Sequence, residues 1–81
     1  MRADEIRRLI EAGMPGATVM VQGEDGQHFD AMVVSPAFEG LSMIKQHQLV
    51  YSTLGNRMTT GEIHALGLKT YTPQQWAAAA H

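Results

Sequence analysis

Hydrophobic residues near the start of the chain recur at helical spacing. Ile6, Leu9 and Ile10 fall on one side of a helix over residues 3–12, and charged side chains occupy much of its remaining surface. Gly13 follows, at a position where glycine commonly ends a helix. The pattern therefore predicts an amphipathic first helix over residues 3–12.

Two stretches of apolar residues then predict a pair of β-strands. Residues 17–22 alternate between two faces, and residues 28–34 form a second run that is mostly apolar. The segment between them, Gly23-Glu24-Asp25-Gly26-Gln27, has the composition of a turn, with two glycines that can adopt positive φ. Together these runs predict a β-hairpin with a long loop.

Residues 40–58 form the longest region with a helical pattern. Gly55-Asn56 interrupts it, which predicts a main helix to about Leu54 and a short helical turn beyond. The residues close to one apolar stripe of this region are Leu41, Ile44, Tyr51, Leu54 and Met58. We expect that stripe to face the core.

The remaining residues predict a third strand and a last helix. Residues 62–71 are rich in apolar side chains and bounded by turn residues. Thr72, Pro73 and Gln75 are the residue types favoured at the cap and in the first turn of a helix, which continues through Trp76. The complete order predicts an α+β fold with a three-stranded sheet and helices packed on one face.

The composition limits both size and chemistry. The chain has 81 residues, 44% hydrophobic and 17% charged, so we expect residues 1–81 to form one domain with a small core. The net charge of −2 argues against strong, indiscriminate binding to nucleic acids. No apolar run approaches about 20 residues, and no signal peptide is recognisable, so we expect a cytoplasmic protein without a membrane segment.

Catalytic motifs are missing from the sequence. It has no cysteine, no Gly-x-Ser-x-Gly elbow and no phosphate-binding loop of the Walker type, and its carboxylates are scattered. Two Gly-x-x-Gly patterns, residues 13–16 and 23–26, fall where turns are predicted, and the second holds Glu24-Asp25, which would repel phosphate. We therefore expect that the chain is not an enzyme.

Histidine is the remaining residue type that could bind a metal. His64 shares strand parity with Leu66 and Leu68, which favours a hydrogen-bonded core histidine and leaves a ligand role as the alternative. His28 opens the second predicted strand beside the acidic turn, where we expect an exposed side chain. His47 falls within the main helix, where it is expected to be an ordinary polar residue.

Several large apolar side chains are expected to fill the core. Met32, Met43 and Met58 lie in apolar segments, and methionine adapts to irregular gaps between packed elements. Trp76 is the largest side chain of the last predicted helix, so we expect it to anchor that helix in the core.

A set of residues between positions 28 and 76 has the order and spacing of a known family. They are His28-Phe29, Phe38-Glu39-Gly40-Leu41-Ser42, Val50-Tyr51-Ser52-Thr53-Leu54, Ile63-His64-Ala65-Leu66, Lys69-Thr70-Tyr71-Thr72-Pro73 and Trp76. Through them the chain resembles the BolA family, in particular its bacterial BolA-like and IbaG-like members. The resemblance implies a KH-like fold of αββααβα order, which agrees with the predicted elements.

The resemblance also implies a function in iron–sulfur chemistry. Members of the family are partners of monothiol glutaredoxins, and the pair shares a [2Fe–2S] cluster to which glutaredoxin and glutathione supply sulfur. His64 would be the histidine ligand from this chain and His28 the second ligand, with Lys69 and Tyr71 contacting the partner. No cofactor is then expected in the isolated chain. Because neutral imidazole is the binding form, cluster binding should weaken as pH falls through roughly 6.5.

Two alternatives to a cluster-sharing complex stay open. Some family members are described as transcription regulators, and DNA or RNA would then contact Lys45, Arg57 and Lys69. Gln46 and Gln48 stand where relatives often carry arginine, which predicts weaker contacts to phosphate. The other alternative is an adaptor that docks on glutaredoxin through the third strand and last helix without iron.

Overall fold

The computed structural model describes residues 1–23 and 25–79 of the chain. Its elements are α1 (Ala3–Gly13), β1 (Thr18–Gln22), β2 (His28–Val34), a 3-10 helix (Pro36–Phe38), α2 (Met43–Ser52), α3 (Arg57–Thr60), β3 (Ala65–Tyr71) and α4 (Pro73–Ala79). The predicted α+β fold and its element order are confirmed. Glu24, a residue of the predicted hairpin turn, lies outside the described residues. Within the described part of the chain, no helix has the length and apolar character needed to cross a membrane.

The three strands form one mixed sheet in the order β1-β2-β3. β1 runs antiparallel to β2, with Thr18 opposite Val34, and the two form the predicted hairpin. β2 runs parallel to β3, with His28 opposite Ala65 and Val34 opposite Tyr71. Parallel neighbours need a long crossover, and the segment that carries α2 and α3 provides it. The crossover returns the chain to the beginning of β2, where β3 starts.

One face of the sheet encloses the hydrophobic core together with α1 and α2. The core consists of buried apolar side chains, which are Ile6, Ile10, Met14, Val19, Phe29, Ala31, Val33, Phe38, Val50, Leu54, Ile63 and Leu66. Buried and exposed residues alternate along much of the sheet, as expected where one face is packed and the other meets solvent. Asp30 and Lys69 are exposed on the opposite face.

The predicted apolar stripe faces the core only in its second half, where Leu54 is completely buried and Tyr51 and Met58 pack against the core. Gln46 and Val50 are the buried residues of α2, whereas Met43 is 70% exposed and Ile44 is 71% exposed. The predictions that Ile44 and Met43 face the core are therefore wrong. The helix begins only at Met43, and its buried side includes a polar side chain that forms hydrogen bonds inside the fold.

Gln46 is that polar side chain, and it is fully hydrogen-bonded. Its amide nitrogen donates to the carbonyl oxygens of Phe38 (3.3 Å) and Leu41 (3.0 Å). Its amide oxygen accepts from the hydroxyl of Thr70 at 2.6 Å, which ties α2 to β3. A buried polar group is compatible with a packed interior when its hydrogen-bond partners are present. In this orientation of α2, both the amide nitrogen and the amide oxygen of Gln46 have partners.

Gly13 ends α1 as predicted, but the reason differs from the expected one. Its φ is not positive, and the left-handed glycine of this connection is Gly16, with φ of 86°. A Cβ atom on Gly13 would lie 2.6 Å from Thr53 Cγ2 and 2.8 Å from Thr53 Cβ. Glycine at position 13 therefore permits the close approach of α1 to the C-cap of α2.

Helix α4 has the predicted start, yet its tryptophan does not enter the core. The Thr72 hydroxyl accepts from the N–H of Gln75 (3.1 Å), and the Gln75 side-chain oxygen accepts from the N–H of Thr72 (2.9 Å), which is a capping box. Trp76 is half-buried, with its ring centre 5.4 Å from that of Tyr71. The prediction of a core anchor is wrong because α4 contacts the sheet through β3, at its edge.

Candidate metal-ligand site

His64 lies immediately before β3 and is exposed. Its neighbour Ile63 is completely buried, and the Ile63 N–H donates to the carbonyl oxygen of Arg57 (3.2 Å). On the other side the N–H of Ala65 donates to the carbonyl oxygen of Gln27 (3.0 Å). His64 is thus held from both sides in an exposed position. The prediction that His64 is a core residue is wrong. It assumed that His64 belongs to the third strand and shares a face with Leu66 and Leu68, whereas β3 begins one residue later, at Ala65.

His28 is the first residue of β2, and 59% of its side chain is exposed. The parallel pairing sets it opposite Ala65, so it lies directly beside His64. The centres of the two imidazole rings are 5.3 Å apart and the ring planes meet at 82°. The structure therefore brings together, from distant parts of the chain, the two histidines that the family resemblance implies as ligands.

Asp25 fixes both the hairpin turn and the His28 ring. Its Oδ1 accepts from the backbone N–H groups of Gln27 (2.9 Å) and His28 (2.8 Å), and its Oδ2 lies 2.6 Å from His28 Nδ1. The backbone N–H of His28 holds the pKa of the Asp25 carboxyl well below its usual range, and the His28 ring and the N–H of Gln27 add to this effect. Asp25 is therefore an ionised acceptor, and Gly26, with φ of 74°, allows the chain to turn around it.

The distance between the two ring centres allows both imidazoles to reach one metal ion. Rings that bind a single ion at the Zn–N distance of roughly 2.0–2.1 Å have centres about 5 Å apart, and the His28 and His64 ring centres, in an edge-to-face arrangement, are 5.3 Å apart. Among the described residues, no group of three or more His, Cys, Asp or Glu side chains is arranged to hold a metal ion. The His28–His64 pair offers two imidazole donors.

The two residues predicted to contact a partner lie together on β3. Lys69 is exposed and Tyr71 is half-buried, and both line a shallow groove with Met43 and His47 of α2. Met43 contributes exposed apolar surface to the same groove. The arrangement offers a mixed apolar and cationic surface, and its use in partner binding stays a prediction.

The three cations predicted to contact nucleic acid do not form one patch. Arg57 donates through Nη1 to the carbonyl oxygen of Leu54 (3.0 Å), and its Nε lies 3.8 Å from a carboxylate oxygen of Glu62. It lines a depression against α1, whereas Lys69 lines the groove against α2. Lys45 is exposed on α2. Phosphate binding gains from cations that act together, and this distribution supplies few of them.

Sequence reasoning missed the contribution of Asp25. The residue stands before a glycine in the predicted turn and three positions before His28, a spacing at which an aspartate can accept from the backbone that follows it. That signal identifies a turn, but it does not reveal that the second carboxylate oxygen reaches the imidazole. The contact depends on how the turn passes into β2, which only the structure provides.

The αββααβα order, with its parallel β2–β3 pair and exposed histidines at one end, defines a KH-like protein of the BolA type. The family model described as "BolA-like protein" matches residues 11–75 of the chain. The chain belongs to the BolA family.

Relatives of known sequence or structure agree with this assignment. The acid stress protein IbaG of Escherichia coli strain K12 is 36% identical over 77 residues, which cover 95% of this chain and 90% of the relative. The structure of a bolA protein homologue from Coxiella burnetii superposes with a TM-score of 0.84 at 42% identity, covering 95% of this chain and 97% of that one. BolA1 from Arabidopsis thaliana superposes with a TM-score of 0.77 at 30% identity, covering 93% and 95% of the two chains.

Proposed function

We propose that the chain is a non-enzymatic, cytoplasmic partner of a monothiol glutaredoxin and shares a [2Fe–2S] cluster with it in iron–sulfur trafficking or iron homeostasis. His64 and His28 are the ligands from this chain. The observation that carries the proposal is the pairing of two exposed imidazoles, 5.3 Å apart, at the start of β2 and β3.

The donor set of the chain supports a shared centre. The chain has no cysteine, so it brings no thiolate to an iron–sulfur cluster. Two histidines can replace two cysteines on one iron of a [2Fe–2S] cluster, which raises its reduction potential. The partner would then supply sulfur for the other iron, from its cysteine and from glutathione. A pair of exposed imidazoles from this chain matches such a division.

The partner would contact the groove between β3 and α2. Lys69 and Tyr71 line this groove beside the exposed Met43, and they are the residues on which we place the glutaredoxin contact. Methionine and tyrosine are residue types enriched in protein–protein interfaces, and polar side chains are typical of the rim.

Co-expression with a monothiol glutaredoxin, followed by anaerobic purification, tests this function. We expect a coloured heterodimer with visible absorption, circular dichroism and iron content that fall to background in His64→Ala and decrease strongly in His28→Ala. Gln48→Ala, at an exposed position of α2 outside the groove, controls for a surface substitution that removes neither ligand nor groove residue. A colourless wild-type complex, or a wild-type spectrum in both ligand variants, would contradict the proposal.

The iron-free adaptor makes a different prediction for the same two proteins. Glutaredoxin is mixed anaerobically with the chain, with and without the cluster, and the dissociation constant of the heterodimer is measured. A cluster ligated by both proteins should tighten the complex strongly, whereas an adaptor should bind equally well in both states. The His64→Ala variant should remove the difference without abolishing the cluster-free affinity.

A further inference from the structure

We propose that Asp25 is a positioning residue that holds His28 in the tautomer with the proton on Nδ1, so that Nε2 is the nitrogen offered to the metal. This inference rests on the proposed function, because it concerns how one of the two ligands of this chain is prepared. It concerns a residue that neither the sequence pattern nor the family resemblance assigned to the site.

The hydrogen bonds of Asp25 determine which ring nitrogen of His28 carries the proton. A carboxylate only accepts hydrogen bonds, and its Oδ2 lies 2.6 Å from His28 Nδ1. The ring nitrogen at that contact must therefore be the donor, which leaves Nε2 as the nitrogen with the free lone pair in the neutral ring. Oδ1 is simultaneously held by the N–H groups of Gln27 and His28, so the carboxylate cannot rotate away without losing the turn.

Such a contact has two chemical consequences for a ligand. It fixes the orientation of the imidazole, and it makes the opposite nitrogen a better donor, as carboxylates commonly do behind metal-binding histidines. Removal of an outer partner of this kind typically reduces metal affinity about 10–100-fold. His64 has no corresponding carboxylate among the hydrogen bonds of the described residues, so the two ligands of this chain are prepared differently.

Two substitutions of Asp25 distinguish its contact with the His28 ring from its contacts with the turn backbone. Asp25→Asn keeps an oxygen for the two backbone N–H groups but presents an amide N–H₂ to His28 Nδ1. That group donates, so it stabilises the tautomer with the proton on Nε2, whose free lone pair on Nδ1 faces the amide rather than the metal. Asp25→Ala loses the turn contacts yet leaves the ring free to adopt either tautomer. The proposal therefore predicts that Asn is the more damaging substitution, whereas a purely structural role predicts that Ala is.

Two measurements test this ordering on the full chain. In the isolated protein, ¹H–¹⁵N correlation spectra of the imidazoles read the His28 tautomer, which we expect to be Nδ1–H in the wild type and Nε2–H in Asp25→Asn. In the complex with glutaredoxin, we expect cluster loss to accelerate about 10–100-fold in Asp25→Asn and less in Asp25→Ala. Asp30→Asn is the matched control, because Asp30 borders the same depression and its carboxylate lies over Gly67.

The outcomes distinguish this inference from the proposed function. A wild-type Nε2–H tautomer, or Asp25→Asn with the wild-type tautomer and cluster lifetime, would overturn the role of Asp25. An effect of Asp30→Asn as large as that of Asp25→Asn would also overturn it, since negative charge alone would then explain the result. If the wild type forms no cluster, the function fails, and the tautomer in the isolated protein still decides whether Asp25 positions the ring.

Discussion

The backbone N–H of Ala65 donates to the carbonyl oxygen of Gln27 across 3.0 Å, directly beside the two histidines. This hydrogen bond starts the parallel pairing of β3 with β2 and sets His28 opposite Ala65. Because side chains alternate along a strand, a shift by one residue would move every side chain of β3 to the other face of the sheet. The ligand pair therefore depends on the register of a crossover connection rather than on neighbouring residues in the sequence.

Truncation of Ile63 should destabilise the fold and loosen His64. Ile63 is completely buried immediately before the histidine, and removing most of such a side chain costs about 2–5 kcal/mol, against about 0.5–1.5 kcal/mol for Ile63→Val. Urea unfolding of Ile63→Ala and Ile63→Val measures both losses, and hydrogen exchange of the Ala65 amide reports whether the register weakens. Equal unfolding midpoints for the two variants would contradict this packing role.

Acidification should release the cluster from the complex. A protonated imidazole cannot bind a metal, and histidine side chains change charge between about pH 5 and 8. We therefore expect the cluster absorbance of the complex with glutaredoxin to be stable near the upper end of that range and to decay faster as the pH falls. Visible absorption at a series of pH values measures the rate.

Asp25 should not itself lose its charge over this pH range. The pKa of its carboxyl is lowered by the N–H of His28 and the other donors around it, so its stabilising effect is present above the pKa of the unfolded chain and is lost only as pH falls through the lower folded value. The carboxylate thus stays ionised throughout the experiment. A cluster lifetime that does not change over this range would contradict ligation by imidazole.

Gln46 should be essential to the packing of α2 on β3. Gln46→Ala removes the donor to two carbonyl oxygens and the acceptor of the Thr70 hydroxyl, and buried polar groups left without partners cost about 1–3 kcal/mol. We expect the free energy of unfolding to fall by about 2–3 kcal/mol. Gln48→Ala, at an exposed position of the same helix, should change it by less than about 0.5 kcal/mol.

A double-mutant cycle measures the energetic coupling between Gln46 of α2 and Thr70 of β3. Thr70→Val removes the hydroxyl that donates to Gln46 at 2.6 Å, and residues in one hydrogen-bond network typically show coupling of about 0.5–3 kcal/mol. Additive effects of Gln46→Ala and Thr70→Val would mean that the hydrogen bond contributes nothing of its own to stability.

Local patterns in the sequence predict the elements well and their orientation less well. The first helix, the hairpin and the Thr72–Gln75 cap follow from periodicity and residue type, which act within a few residues of each other. The prediction for Ile44 is wrong because the side of α2 that faces the sheet carries Gln46, which bonds to the preceding loop and to Thr70. Those partners come from other elements, so the helix pattern alone cannot choose the buried side.

The residues of the candidate site could also be predicted only in part from the sequence. Family resemblance identifies His64 and His28, but strand parity places His64 in the core because the beginning of β3 is set by its pairing with β2. Asp25 was recognisable as a turn residue and not as a partner of the imidazole. Contacts between side chains across a turn and a crossover follow from the folded register, which the sequence does not display.

Nucleic-acid binding by this chain should be undetectable at moderate salt. Arg57 is engaged with the Leu54 carbonyl and lies near Glu62. Of the three predicted contacts this leaves Lys45 and Lys69, on a chain with a net charge of −2. Each phosphate contact contributes to affinity and to a salt slope of roughly −0.9 per neutralised charge. With so few cations we expect no measurable affinity for duplex DNA or single-stranded RNA near about 50 mM salt.

Fluorescence anisotropy with labelled oligonucleotides, titrated with salt, measures this affinity. The regulator alternative requires binding that weakens as salt rises and that decreases in Lys45→Gln and Lys69→Gln. Arg7→Gln removes a cation of α1 that is paired with Glu11 at 2.9 Å, so it controls for the change in net charge. Binding lost in both lysine variants but kept in Arg7→Gln would place nucleic acid across α2 and β3, on the groove that we assign to glutaredoxin, and would contradict that assignment.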